Sequence, residues 1–199
     1  MNHQLNNATK KIVIFASGTG TNAENIIKYF QNTSQMRVVS VFCNKRSAPV
    51  LKKAHDLKVK ALYFDKEALY SSNEVLHVLK DIQPDLIVLA GFLWIFPKNI
   101  LQNFPNKIIN IHPALLPNYG GQGMYGSKVH EAVISNKDKE SGISIHMVNE
   151  KYDEGEIIFQ ARTPISETDT PETLAAKIHQ LEYDHFPKVI EELLLKSSK

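Results

Sequence analysis

"KIVIFASGTGTNAENII", residues 11–27, changes character twice. After Lys11 comes an unbroken apolar, β-branched run to Ala16, the pattern of a strand buried on both faces. Gly18 and Gly20 then let the chain turn sharply and approach a ligand closely. Thr21 and Asn22 stand where a helix begins, and there free amides and the positive dipole end attract an anion. Strand, glycine turn and helix in that order open a parallel α/β sheet. The loop is not a full dinucleotide fingerprint, because Ala23 stands where G-x-G-x-x-G has its last glycine. No Gly-Lys-Ser/Thr follows, which excludes a P-loop. At the end of the second apolar run, "FCNKRSA" offers Asn44, Lys45 and Arg46 rather than the acid that holds an NAD ribose.

The rest of the chain extends this unit. Apolar runs recur as "RVVSVFC" from Arg37, "KALYF" from Lys60, "DLIVLAGF" from Asp85 and "KIINIH" from Lys107. Helix-like segments at about 22–31, 48–57 and 66–82 separate the first of them. Beyond Ile111 a loop rich in proline and glycine runs to Gly126, and "SKVHEAVIS" reads as a helix. "GISIHMVN" and "GEIIFQARTPI" read as an antiparallel hairpin. Thr170 and Pro171 cap and open a last helix, with Leu174, Ile178, Leu181, Val189, Ile190 and Leu193 facing inward and Pro187 kinking or splitting it. The fold class is therefore α/β: a three-layer, Rossmann-like, mostly parallel sheet with helices on both faces and a C-terminal antiparallel extension. Residues 1–10 read as a disordered lead-in and 11–199 as a single domain.

Composition narrows the function. With 23 basic and 21 acidic residues the net charge is only +2, without the basic stripe of a nucleic-acid binder. Cys43 is the only cysteine, so there is no disulfide framework or cysteine zinc cluster, and it reads as a core residue at a strand end. No apolar stretch approaches the roughly 20 residues that span a bilayer, and the polar start lacks a signal-peptide core. The expectation is a cytoplasmic protein.

A second stretch, "NIHPALLPNYGG" from Asn110, carries chemistry. Residues two apart on a strand share a face, so Asn110 and His112 point the same way at the strand's end, where α/β sheets bind ligands. An asparagine amide can donate to an oxygen gaining charge, and a histidine can exchange a proton near neutral pH. Pro113 and Pro117 stiffen the loop beyond. His130 reads as part of a surface helix, His146 as part of a strand, and His55, His77 and His185 lack neighbouring chemistry. No metal-ligand spacing exists, so no metal is expected. An acid to support His112 would come from "VNEKYDEGEIIFQ", where composition alone does not choose among Glu150, Asp153, Glu154 and Glu156.

"SGTGTN", "LAGFLWI", "NIHPALLPNYGG" and "YDEGEIIFQ", in this order and spacing, resemble the folate-dependent formyltransferases, in particular the branch that formylates glycinamide ribonucleotide in purine synthesis. The resemblance runs from Lys11 to about Leu194. It implies 10-formyltetrahydrofolate as formyl donor, glycinamide ribonucleotide as acceptor, and a monomer or homodimer free of nucleic acid and membrane. It implies that Asn110, His112 and Asp153 are the catalytic trio and that Gly20, Thr21 and Asn22 hold the substrate phosphate. Glu182 matches the acid near the phosphoribosyl group, and His179, one helical turn earlier, a further polar contact. Phe92, Leu93, Trp94 and Ile95 match the pterin-pocket wall. The loop containing Asn149, Glu150, Tyr152 and Asp153 matches the one that reads the pterin ring. Trp94 departs from an arginine in relatives, and only Lys66 stands in for a second arginine toward the folate tail. The relatives that act on methionyl-tRNA carry a further C-terminal domain, and the deformylases an N-terminal one, for which 199 residues leave no room.

The mechanism this implies has Asn110 and a protonated His112 donating to the oxyanion. Asp153 would raise the histidine's pKa and relay protons. The Leu116–Pro117 bond is expected to be cis. Rival readings are a formyltransferase for another amine, a deformylating hydrolase, a non-catalytic nucleotide- or folate-binding domain and, more remotely, a dinucleotide reductase.

Overall fold

The computed structural model describes residues 9–196. Its strands are β1 (Lys10–Ala16), β2 (Met36–Cys43), β3 (Lys60–Tyr63), β4 (Leu86–Leu89), β5 (Ile108–His112), β6 (Glu140–Met147) and β7 (Ile157–Pro164). They form one sheet in the order β3-β2-β1-β4-β5-β6-β7. The first five pair in parallel, while β6 pairs antiparallel with both β5 and β7. This is the Rossmann-like sheet with an antiparallel extension that the sequence pattern predicts.

The helices of the described residues are α1 (Thr21–Phe30), α2 (Pro49–Asp56), α3 (Lys66–Tyr70), α4 (Glu74–Ile82), α5 (Lys98–Asn103), α6 (Ser127–Ser135) and α7 (Pro171–Lys196). They cover both faces because each central strand is apolar on both. Along β1, Ile12, Ile14 and Ala16 join the core under α1, α2, α6 and α7. Val13 and Phe15 join the core under α3, α4 and α5. Each large apolar side chain removed from water contributes about 1.5–3 kcal/mol, offset by the entropy of ordering it.

The structure refines the local expectations. The helix expected over 66–82 is two helices, α3 and α4, because the chain breaks at Asn73, which has a left-handed φ of 60°. Helix α5, between β4 and β5, has only six residues and was too short to show a period. The expected lead-in over 1–10 lies outside the described residues except at its end, where Lys10 already opens β1 and Thr9 donates to the Ser34 carbonyl. Helix α7 is not split at Pro187, and its start is capped by Thr170, whose Oγ1 accepts from the Thr173 amide. The Leu116–Pro117 bond is cis. No helix among the described residues is long and apolar enough to cross a membrane.

The sheet order positions the site. β1 and β4 are neighbours, but the chain leaving β1 goes to one face and the chain leaving β4 to the other. The crevice between their carboxyl ends is where such sheets bind ligands. Gly20 opens α1 there with φ 70°, and a Cβ on it would lie 2.2 Å from Val50 Cγ2. Gly20→Ala is therefore expected to lose at least about 2 kcal/mol of stability, from the left-handed backbone and the overlap together. Chemical denaturation would measure this, and an unchanged midpoint would show that the turn can relax.

Candidate active site

The loops after β1, β4 and β5, together with the β6–β7 connection, enclose a cavity of about 590 Å³. At one end lies the start of α1. Asn22 is turned inward there, and its Nδ2 donates to Glu182 Oε2 at 2.8 Å. His179 Nδ1 meets the same oxygen at 3.0 Å. Glu182 is only 5% exposed, so these contacts compensate a carboxylate largely removed from water. The Glu182 hydrogen bond raises the His179 pKa above 6.5. Gly20, Thr21, Asn22, His179 and Glu182 thus line the cavity together.

His130 is a correction. The sequence reading places it on a surface helix, yet it is 4% exposed and borders the same end of the cavity. Helix α6 packs against α7, which buries Val129, His130 and Val133 together. Burial pushes the His130 pKa below 6.5, assisted by the nearby His179 charge. Its Nδ1 and the Oδ1 of Asn22 are buried without a hydrogen-bond partner.

At the centre, β5 presents Asn110 and His112 to the cavity, as their spacing predicts. Asp153 reaches them from the β6–β7 connection. Its Oδ1 lies 3.3 Å from Asn110 Nδ2, and its Oδ2 lies 3.5 Å from His112 Nδ1. The Gly121 amide donates to Oδ2 at 3.0 Å. Of the four acids left open by composition, Asp153 is the one brought to His112. His146, opposite Asn110 in the β5–β6 ladder, completes the cluster. Its Nδ1 lies 2.8 Å from the Met147 carbonyl, which can only accept, so that nitrogen carries the proton. His146 Nε2 is then free to accept from Asn110 Nδ2 at 3.1 Å. Sequence reasoning passed over His146 because only the cross-strand register reveals its partner.

The same argument fixes His112. Its Nε2 lies 2.7 Å from the Tyr119 carbonyl, so Nε2 holds a proton and Nδ1 is the nitrogen that titrates. Burial pushes the His112 pKa below 6.5, and the opposing pull of Asp153 and the Tyr119 carbonyl does not overcome it. Asp153 does pull the pKa upward, as expected, but a nearly dry imidazole loses more hydration than one carboxylate at 3.5 Å returns, so the net direction disfavours the protonated His112 that the sequence reading expects. Burial works to raise the pKa of Asp153, but its His146 contact, the His112 charge and the Gly121 amide together hold it below 3.8.

The far end is apolar. Phe92, Leu93, Trp94 and Ile95 all line it. Phe92 packs edge-on against Phe15, and the Leu93 amide donates to Ser17 Oγ at 3.0 Å, tying this wall to β1. Lys66 is outside the cavity lining, with Nζ 5.6 Å from the Trp94 ring centroid. Asn149 and Tyr152 line the opposite wall. Glu150 does not: it turns outward to an ion pair with Lys98. Among the described residues no group of three His, Cys, Asp or Glu could hold a metal ion.

Fold and site define an α/β protein with a two-ended ligand cleft, polar at one end and aromatic at the other, around a titratable centre. The chain belongs to the formyl transferase family, whose model matches residues 10–190. It is 37% identical over 187 residues to the chloroplastic phosphoribosylglycinamide formyltransferase of Arabidopsis thaliana, covering 91% of this chain and 64% of that protein. The chain thus spans less than two thirds of the plant relative. With phosphoribosylglycinamide formyltransferase of Bacillus subtilis it shares 33% identity over 190 residues, covering 93% of this chain and 95% of the relative. The crystal structure of phosphoribosylglycinamide formyltransferase from Anaplasma phagocytophilum superposes with a TM-score of 0.85 at 30% identity, covering 95% of this chain and 89% of that one.

The buried imidazoles make stability depend on pH. His112 and His130 have folded pKa values below 6.5, so below that pH the unfolded chain binds protons that the folded chain refuses. Their effect is absent above about pH 6.5 and destabilising as pH falls through it. His179, with a raised folded pKa, acts in the opposite sense: its stabilisation is present below 6.5 and lost as pH rises through the folded value. The melting temperature is expected to fall between about pH 7.5 and 5.5, and His130→Asn should flatten that fall. An identical slope in the variant would show that His130 is not held neutral.

Proposed function

We propose that this chain transfers the formyl group of 10-formyltetrahydrofolate to the primary amine of glycinamide ribonucleotide, a step of purine synthesis. The observation that carries the reading is the placement of Asn110, His112 and Asp153 between the start of α1 and the aromatic wall of one cavity. The free amides at the start of α1 suit the acceptor's phosphate, and Glu182 with its partners suits the adjacent ribose. The wall of Phe92, Leu93, Trp94 and Ile95 suits the pterin ring, with Asn149 and Tyr152 facing it. Trp94, with Lys66 near its ring, suits the folate tail. Holding both substrates across the trio makes the reaction effectively intramolecular.

In the reaction the amine nitrogen attacks the formyl carbon. A new C–N bond forms, the carbonyl oxygen gains negative charge, and the bond to the folate nitrogen then breaks. Asn110 donates to that oxygen. Its contact with Asp153, at 3.3 Å, is longer than that with His146 and is the one exchanged for substrate. One such donor is worth roughly 3–4 kcal/mol in the transition state. Neutral His112 accepts a proton from the attacking amine at Nδ1. The imidazolium is then stabilised by Asp153 and donates toward the oxyanion. The proton finally passes to the departing folate nitrogen, so the amine's proton ends on the leaving group. We place the protein in the cytoplasm, as a monomer or homodimer acting on small metabolites.

The test mixes purified protein with both substrates and follows loss of the formyl donor spectrophotometrically, with and without the amine. Amine-dependent turnover is expected. Turnover without amine would make the protein a hydrolase, and none under either condition would sink the assignment. His112→Ala should retain the fold and lose at least about a hundredfold in turnover. Asp153→Asn should move the His112 titration to still lower pH, because it removes the charge that opposes burial. An unmoved midpoint would dissolve the pairing.

A further inference from the structure

We propose that Tyr119 is a positioning residue for His112: its hydroxyl, anchored on Asp138, fixes the peptide carbonyl that decides which ring nitrogen of His112 exchanges the proton. The inference rests on the reading of His112 as the proton-handling group.

The geometry is a relay of short contacts. His112 Nε2 donates to the Tyr119 carbonyl at 2.7 Å. While that contact holds, Nε2 keeps its proton in both charge states, and exchange is confined to Nδ1, the nitrogen beside Asp153. The carbonyl itself belongs to a loop poor in ladder contacts. Tyr119, Gly121, Gly123 and Gly126 all have positive φ. For Tyr119 the value is 56°, uncommon for a bulky side chain and maintained only where the surroundings impose it.

The side chain of Tyr119 supplies that imposition. Its hydroxyl donates to Asp138 Oδ2 at 2.7 Å. The other oxygen of Asp138 accepts from Asn136 Nδ2 at 2.7 Å, and the Asn136 amide closes the end of α6 on the Ala132 carbonyl. The anchor stands where α6 turns into β6, the strand that carries Ser144 and His146. The two residues flanking Tyr119 in space are also set by the site: Gly121 donates to Asp153, and a Cβ on Gly120 would meet Leu116 at 2.6 Å and Asp153 at 3.2 Å. The ring of Tyr119 packs against the core, so Tyr119→Phe keeps that packing and removes only the hydroxyl's contact with Asp138.

The other groups that act on His112 come from separate elements: Asp153 from the β6–β7 connection, His146 from β6, His130 from α6 and Glu182 from α7. The hydroxyl of Tyr119 faces Asp138 and touches none of them. Removing it thus tests the carbonyl alone.

The experiment compares Tyr119→Phe, Asp138→Ala and Asp138→Asn, using the full chain labelled with 15N-histidine. In the ligand-free wild type, His112 should show a single neutral tautomer with its proton on Nε2. Tyr119→Phe and Asp138→Ala should populate the second tautomer and move the titration midpoint to lower pH. Both should lower kcat about tenfold, the loss of one hydrogen bond to a charged group, with KM within about twofold. Asp138→Asn still presents an acceptor oxygen and should keep the wild-type tautomer and kcat. The double variant Tyr119→Phe/Asp138→Ala should be no worse than either single one. A wild-type tautomer in both Tyr119→Phe and Asp138→Ala overturns the proposal, even if activity drops. If wild type has no transferase activity, the assignment of function fails, and the spectra still decide the anchor.

Discussion

A carboxylate taken out of water needs compensating contacts, and Asp153 is the group around which this site is arranged. It accepts from the Asn110 side-chain amide and the Gly121 backbone amide and lies beside the rings of His112 and His146. These belong to two strands and a loop, so one buried charge registers three segments of chain. Asp153 itself has φ 54°, so its backbone adopts a conformation that costs free energy outside glycine. The connection that carries it depends on a close approach nearby, since a Cβ on Gly155 would lie 1.7 Å from the Met147 carbonyl. The pairing of β5 with β6 is thus as much a requirement of the chemistry as of the fold.

The loop that leaves His112 is held by polar contacts beneath the surface. Ser144 donates to the Ala114 carbonyl and accepts from the Leu116 amide. Gln160 on β7 donates to both Ser144 Oγ and the Leu116 carbonyl. Such a buried network is stabilising only when every member is satisfied, and here it fastens the first residues after β5 to the antiparallel extension. The two added strands therefore do more than lengthen the sheet. They form the floor that keeps Asn110 and His112 still while the parallel strands deliver the two ligand-binding ends.

Much of this was readable in the sequence because its signals are local. A β-branched run closed by glycines at 18 and 20 defines β1, its turn and α1, and the two-residue spacing of Asn110 and His112 defines their common face. Asp153 was one of four acids by composition and was singled out only by resemblance, since its role depends on where a connection folds back. His146 and His130 were passed over for the same reason: their neighbours lie across a sheet register or a helix–helix contact. The protonation of His112 was misjudged because a charge partner is visible in sequence and desolvation is not. The break at Asn73 escaped notice because Ser71 and Ser72 fit a continuous helix as well as a turn, and Glu150 because charge alone does not say which way a loop side chain points.

The contact between Asn22 and Glu182 closes a span of 160 residues. Helix α1 is made early in synthesis and α7 last, yet each supplies part of the polar end of the cleft. Leu174, Ile178, Phe186 and Ile190 of α7 are also fully buried in the core shared with α1. Without α7 the chain would expose an apolar face of its sheet and leave Asn22 without its Glu182 partner. The polar end of the cleft is thus assembled only when helices far apart in sequence have docked on one another.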